Sequence, residues 1–298
     1  MSRLPWDRDY DHDHAAIPRA IEEQFPSLAP VRAEYVSSGW DFDAYRVNGR
    51  WVFRFPRRQD CAHSWEPGLL DLVARELEVE VPVVEFRGEP GRHFPYSFFG
   101  HRWLEGVGPR AVEPDHEPLA AQFGGVLGGL HPLEAEVPVA NWGPEQWIAA
   151  VVDSSAWIEA ALPARERKRW AAWLRGEVPV PPSYSGPARL CHSDLAEEHL
   201  LFDPVTRRLT GVLDWSDTSL GDPVCDFVGL QVWLGEGFVE RVLRHYDPDP
   251  GPGFLDRLGF AVRTRLLVWA GESHRWDGRD LVPGTAHWVK LLSQTCPQ

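Results

Sequence analysis

The sequence predicts an α+β protein, with a β-rich part over residues 1–100 followed by a larger, mainly helical part over residues 101–298. Two observations carry that expectation. Apolar residues recur with period two in several short runs before residue 100 and with helical spacing in seven runs after residue 115. The 298 residues, 43% hydrophobic and 25% charged, are also enough to bury a substantial core as one large domain or two lobes.

In chain order, Ile17, Ile21 and Phe25 share one helical face, and Pro26 ends that helix. Runs 31–36, 44–47 and 51–55 then read as a three-strand antiparallel meander, with Asn48-Gly49 as the tight turn between the last two. Trp65, Leu69, Leu72, Val73 and Leu77 give a helix over 65–77, and 81–86 and 96–99 read as two more strands. Beyond Gly100 the helical segments are 119–131, 144–161, 164–175, 224–233, 237–246, 254–271 and 286–292. Gly124-Gly125 and Gly128-Gly129 fall inside the first of these. A glycine there costs about 1 kcal/mol relative to alanine, so close packing against another backbone is expected.

The formal net charge of −14 argues against a nucleic-acid or anionic-membrane surface and favours a cationic partner. Four cysteines, Cys61, Cys191, Cys225 and Cys296, have neither zinc-ribbon nor disulfide-framework spacing, so reduced thiols in a cytoplasmic protein are expected. A charged N-terminus and the lack of any apolar run of about 18 residues predict a soluble, unprocessed chain. Residues 9–14 mix three Asp with two His and read as a solvated charge run.

Chemistry concentrates in one stretch. Asp194 is able to take a proton from an alcohol, His199 lies five residues on and is able to ligate a metal, and Asp214 follows twenty residues after Asp194. That set is what metal-assisted phosphoryl transfer requires. The apolar runs 200–202 and 209–213 form a hairpin that would return Asp214 toward His199.

The strings HSDLAEEHLLFD (192–203), GVLDWSD (211–217) and GDPVCDF (221–227) resemble the catalytic core of the aminoglycoside phosphotransferase family, within the larger protein-kinase-like fold. They are most similar to the aminoglycoside 2''-phosphotransferases and macrolide phosphotransferases, which also carry His where most relatives have Asn. The resemblance implies a two-lobe fold, with an N-terminal antiparallel β-sheet lobe containing one helix and a larger, mainly helical C-terminal lobe. A nucleotide, ATP or GTP, would bind between them with Mg²⁺. It makes Asp194 the catalytic base and His192 a buried brace of the catalytic loop. It makes His199 and Asp214 the metal ligands, and Asp222 and Asp226 structural anchors. His199 offers nitrogen where Mg²⁺ prefers oxygen, so a hydrogen bond to a phosphate or to the loop is its other reading.

WVFRFPRR (51–58) resembles the family strand that contacts nucleotide phosphates, placing Arg54 where kinases carry Lys. Glu66, at the start of the next helix, is the expected partner of Arg54, with Glu76 as the alternative. Ser38 and Gly39 stand in the position of the phosphate-covering loop, although only one glycine is present. Residues 98–103, with Gly100 and His101, would be the hinge that meets the base.

For the acceptor, a cationic aminoglycoside is the first expectation, with Asp217, Glu236, Glu272 and Asp277 as candidate carboxylates and Trp269 as a stacking surface. A macrolide or a metabolic alcohol is the alternative, and an inactive kinase-like binding module the reading from another class. A hydrolytic metal cluster of His192, Asp194, His199 and Asp214 is disfavoured by the order of the two parts. A monomer or weak dimer is expected, with no nucleic-acid partner.

Overall fold

The computed structural model describes residues 7–10, 13–61, 63, 65–140, 142–275 and 285–294. The chain divides into two compact units, Met1–Val107 with Thr210–Ser216, and Gly108–Leu209 with Asp217–Gln298.

The first unit opens with α1 (Ile17–Gln24), whose Ile17, Ala20 and Ile21 are buried. Five strands follow: β1 (Ala33–Ser38), β2 (Phe42–Val47), β3 (Trp51–Pro56), β4 (Val84–Gly88) and β5 (Phe98–Arg102), with α2 (Glu66–Glu76) between β3 and β4. They form one antiparallel sheet in the order β1-β2-β3-β5-β4. Alternation sorts its faces. Phe53, Phe55 and Phe98 pack with Ile17 and Ile21 on one side, while Phe42 and Phe99 lie with Cys61 on the other. Arg54, between Phe53 and Phe55, therefore points to the second face, where its guanidinium lies 4.1 Å from the Phe42 ring centroid and 5.4 Å from that of Phe99.

Strand bounds differ from the expected ones for local reasons. The run expected at 81–86 joins the sheet only from Val84, because Pro82 has no N–H to give a ladder. Upstream of it, Glu80 donates to Thr210 O at 2.8 Å and accepts from the Val212 amide at 2.9 Å, which ties 210–216 to the first unit. The N-terminal run is solvated as expected, with Asp9, Asp13 and His14 exposed, and it is also tethered. Asp9 accepts from the Gln59 amide and the Tyr96 hydroxyl, and His14 Nδ1 is 2.6 Å from the Tyr45 hydroxyl, whereas Asp11 and His12 lie outside the described residues.

The second unit contains α3 (His116–Leu130), α4 (Pro144–Asp153), α5 (Ser155–Ala161), α6 (Ala164–Leu174), β6 (Arg189–Cys191), β7 (Leu200–Phe202), β9 (Ser219–Gly221), α7 (Val224–Leu234), α8 (Glu236–Leu243), α9 (Phe254–Arg275) and α10 (Thr285–Gln294). Strand β8 (Leu209–Val212), which runs into the 210–216 segment, makes a two-stranded sheet with β7. The helix expected over 144–161 is two, broken at Ser154. Of the four glycines in α3, Gly124 meets the packing expectation: a Cβ there would lie 2.4 Å from His245 Cβ, whereas one on Gly125 would meet nothing within 4 Å. No helix among the described residues is long and apolar enough to cross a membrane. Cys61, Cys191 and Cys225 are free thiols, and Cys296 lies outside the described residues.

Candidate active site

In the first unit the site is built around one cation. Arg54 Nη1 donates to Glu66 Oε1 and Nη2 to Asp214 Oδ1, each at 2.9 Å. Glu66, at the first position of α2, is fully buried, and Glu76, the alternative partner, is exposed at the far end of that helix. Burial raises the Glu66 carboxyl pKa against the pull of Arg54, while Glu66 and Asp214 together raise that of Arg54 against its own burial. Asp214 has a left-handed backbone (φ 58°), tolerated by aspartate better than by most side chains, and also accepts from the Ser216 hydroxyl at 2.9 Å.

Ser38 and Gly39 form the β1–β2 turn, closed by a 2.9 Å bond from the Gly39 amide to Phe42 O. Gly100 and His101 lie not in a hinge but inside β5, where Gly100 pairs with Phe53 and Phe86 and His101 with Val52 and Val84. A Cβ on Gly100 would sit 2.7 Å from the Phe53 ring, so packing alone requires glycine there. The His101 ring, fully enclosed, gives its Nδ1–H to Arg102 O at 2.7 Å, and burial lowers its pKa to about 4. Chain free of the strand begins at Trp103.

In the second unit the loop 192–199 is fixed from beneath. The buried Asp226 carboxylate of α7 accepts from the His192 amide (3.0 Å), the Ser193 amide (2.7 Å) and His131 Nε2 (3.0 Å), and His131 Nδ1 is 2.6 Å from the Tyr246 hydroxyl. Ser193 has φ 71°, and its hydroxyl lies 2.8 Å from that of Ser219 at the start of β9. His192, fully buried, accepts the Asp194 amide at Nδ1 (3.3 Å). His199 Nδ1 donates to Asp194 O at 2.8 Å, since a carbonyl only accepts. The Asp194 backbone is thus held on both sides while its side chain stays 43% exposed. From below, α7 approaches so closely that a Cβ on Gly229 would lie 2.1 Å from Leu195 O.

Asp222 does not bind that loop through its side chain. It pairs with the buried Arg257 of α9 (2.7 and 3.3 Å) and accepts from the Val224 amide at the start of α7, so it fixes the helix that carries Asp226. His131, Cys191 and Asp226 have metal-ligand proximity, but the three N–H donors on Asp226 make that group a hydrogen-bond hub. Neither His131 nor Arg257 has a sequence signal, because their partners lie 95 and 35 residues away.

The expected acceptor residues that the structure describes come from three separate stretches of the second unit. Asp217 is exposed ahead of β9 and Glu236 is exposed at the start of α8. Trp269 packs on Trp288 with ring centroids 4.7 Å apart, under the Arg265 guanidinium. Burial raises the pKa of Glu272, and the charges of Arg265 and Arg275 oppose that shift. Asp277 lies outside the described residues.

Residues 32–258 match the model of the phosphotransferase enzyme family. The chain belongs to that family. Over 223 residues, 67% of this chain and 69% of the relative, it is 27% identical to the uncharacterized protein YcbJ of Bacillus subtilis. Among solved structures it is similar to the GDP complex of wild-type aminoglycoside 2'-phosphotransferase-IIIa, with a TM-score of 0.77 and 24% identity over 95% of this chain and 98% of that one. It is likewise similar to the GDP and kanamycin complex of APH(2")-IIia, with a TM-score of 0.70 and 25% identity over 93% and 97% of the two chains. The fold of this phosphotransferase is therefore the kinase-like one, a five-stranded antiparallel sheet followed by a helical region.

Proposed function

We propose that this phosphotransferase moves the γ-phosphate of ATP or GTP to a hydroxyl of a small molecule, an aminoglycoside in the first instance, with Asp194 as the base. The observation that carries the reading is the loop around Asp194. Its amides are taken by Asp226 and by His192 Nδ1, and its carbonyl by His199, while the carboxylate remains exposed. A carboxylate whose backbone cannot move and whose side chain meets solvent is suited to orienting an alcohol and accepting its proton.

Arg54 supplies the phosphate contact and Glu66 orients it, as the 2.9 Å pair allows. Mg²⁺ suits the half-exposed carboxylate of Asp214 by donor type, and the sequence resemblance adds His199 as a softer second ligand. When bound, the ion neutralises charge on the transferring phosphate. Support for a cationic acceptor comes from the net charge of −14 and from the kanamycin complex of the relative.

The test is a panel of aminoglycosides, macrolides and simple alcohols, each incubated with the protein, Mg²⁺ and ATP or GTP, with nucleoside diphosphate release measured with and without acceptor. Acceptor-dependent release that disappears in Asp194→Ala supports the reading. Release that survives the substitution removes Asp194 as base, and no release with any acceptor shifts the reading to a binding module.

A further inference from the structure

Arg57 and Arg58 follow directly on β3, the strand that carries Arg54, and both reach back to the β1–β2 turn. The Arg57 amide donates to Asp41 O at 2.7 Å. Its Nη1 donates to the Ser38 hydroxyl and to Gly39 O (3.2 Å). Arg58 donates through Nη1 to Trp40 O (3.0 Å) and through Nη2 to Asp41 Oδ1 (2.8 Å). Every residue from Ser38 to Asp41 thus accepts a bond from one of the two. A second tier lies behind them. Ser38 Oγ donates to the buried Asp43 at 2.5 Å, and Arg8 pairs with Asp43 at 2.7 and 2.9 Å.

This arrangement bears on how a phosphate is received. A loop that covers phosphates must turn N–H groups toward them and carbonyl oxygens away. Glycine-rich loops reach that shape through free φ/ψ choice, and this turn has a single glycine, Gly39. Here the Gly39 and Trp40 carbonyls are held by guanidinium groups, which keeps the acceptor atoms engaged, while Asp41 and Asp60 pair with Arg58 and Asp43 lies 3.7 Å from Arg57.

We propose that Arg57 and Arg58 are positioning residues for the nucleotide, clamping the Ser38–Asp41 turn in a single shape in place of the missing glycines. This inference rests on the phosphotransferase reading above. Arg58 is the better probe, because it pairs with the well-exposed Asp60 as well as with Asp41 and is less embedded than Arg57.

The experiment compares the full chain with Arg58→Ala, Arg58→Lys and Arg57→Lys in three measurements: GDP and ADP titration with Mg²⁺, amide hydrogen exchange of residues 38–42, and thermal unfolding. The expected result for Arg58→Ala is dissociation constants raised about tenfold, as for loss of a charge-assisted contact, with faster exchange confined to 38–42 and an unfolding midpoint close to that of the full chain. Lysine, which cannot fork, restores the charge without the exchange protection. Unchanged dissociation constants in all three variants, with wild-type binding intact, overturn the inference alone. Absence of nucleotide binding by the wild-type chain overturns the phosphotransferase reading and the inference with it.

Discussion

Arg54 Nη2 lies 2.9 Å from Asp214 Oδ1, across 160 positions of sequence, while its other terminal nitrogen holds Glu66 at the same distance. One guanidinium therefore compensates two carboxylates, of which Glu66 is fully buried and Asp214 is 42% exposed at its side chain. Removing the cation leaves a buried carboxylate alone. Arg54→Ala is expected to cost about 3–5 kcal/mol of stability in urea unfolding. Glu66→Gln in the same background should recover much of it, because a neutral amide no longer needs a counter-charge. A double variant no more stable than Arg54→Ala would contradict this account.

Asp194→Asn separates catalysis from folding. The side chain is 43% exposed, and the loop is held through its backbone, so unfolding should shift by less than about 0.5 kcal/mol. Acceptor-dependent kcat should fall by about 10²–10⁴, the ordinary contribution of a positioned base, with KM for the nucleotide little changed. A rise in nucleotide KM without loss of kcat would place this residue on the nucleotide instead.

Stability should also carry a pH signature from His101. In the folded chain the ring stays neutral down to about 4, against an ordinary 6.5. Between those values the unfolded chain binds more protons than the folded one, so stability is fully present above pH 6.5 and is lost as pH falls toward 4. The gap corresponds to about 3 kcal/mol. His101→Asn keeps a donor for Arg102 O, and a flatter stability curve between pH 6.5 and 4 in that variant is the expected outcome. Superimposable slopes would assign the acid loss to other groups.

Gly229→Ala tests the support of the loop that carries Asp194 from a residue with no chemistry of its own. The added carbon would meet Leu195 O at 2.1 Å and Ala196 Cα at 3.3 Å, all on backbone, so α7 or the loop has to shift. A loss of about 1–3 kcal/mol is expected, together with a fall in kcat larger than that in Gly125→Ala, where the added carbon meets nothing within 4 Å. Equal activity in the two variants would show that the loop tolerates displacement.

Much of this was legible in the sequence because it is written locally. Asp194, His199 and Asp214 stand at short fixed spacing, and the resemblance of the Arg54 strand to its kinase counterpart suggests Glu66 as partner while leaving Glu76 open. The sheet was legible from alternation, since Phe53, Arg54 and Phe55 must face opposite sides. What escaped was short or distant. Strands β6 and β9 have three residues each, too few for a period to show. The break at Ser154 interrupts a run whose apolar spacing continues through it. Asp43 reads as an ordinary turn-flanking aspartate, and only the folded chain brings Arg8 to it from 35 residues away. Gly100 has no local sequence signal for its place inside a strand, because the phenylalanine pressed against it comes from a different strand.

The segment Thr210–Ser216 belongs to the first unit although roughly a hundred residues of the second precede it in the chain. On a ribosome adding about 5–20 residues per second, the first 107 residues emerge about 5–20 s before that segment does. During that interval Glu80 lacks its pairing with Thr210 and Val212, and Arg54 has Glu66 but not Asp214. The first unit is therefore incomplete by order of synthesis, with Arg54 paired to Glu66 alone and the Glu80 backbone without its two partners, and early termination of translation would release it in that unfinished form.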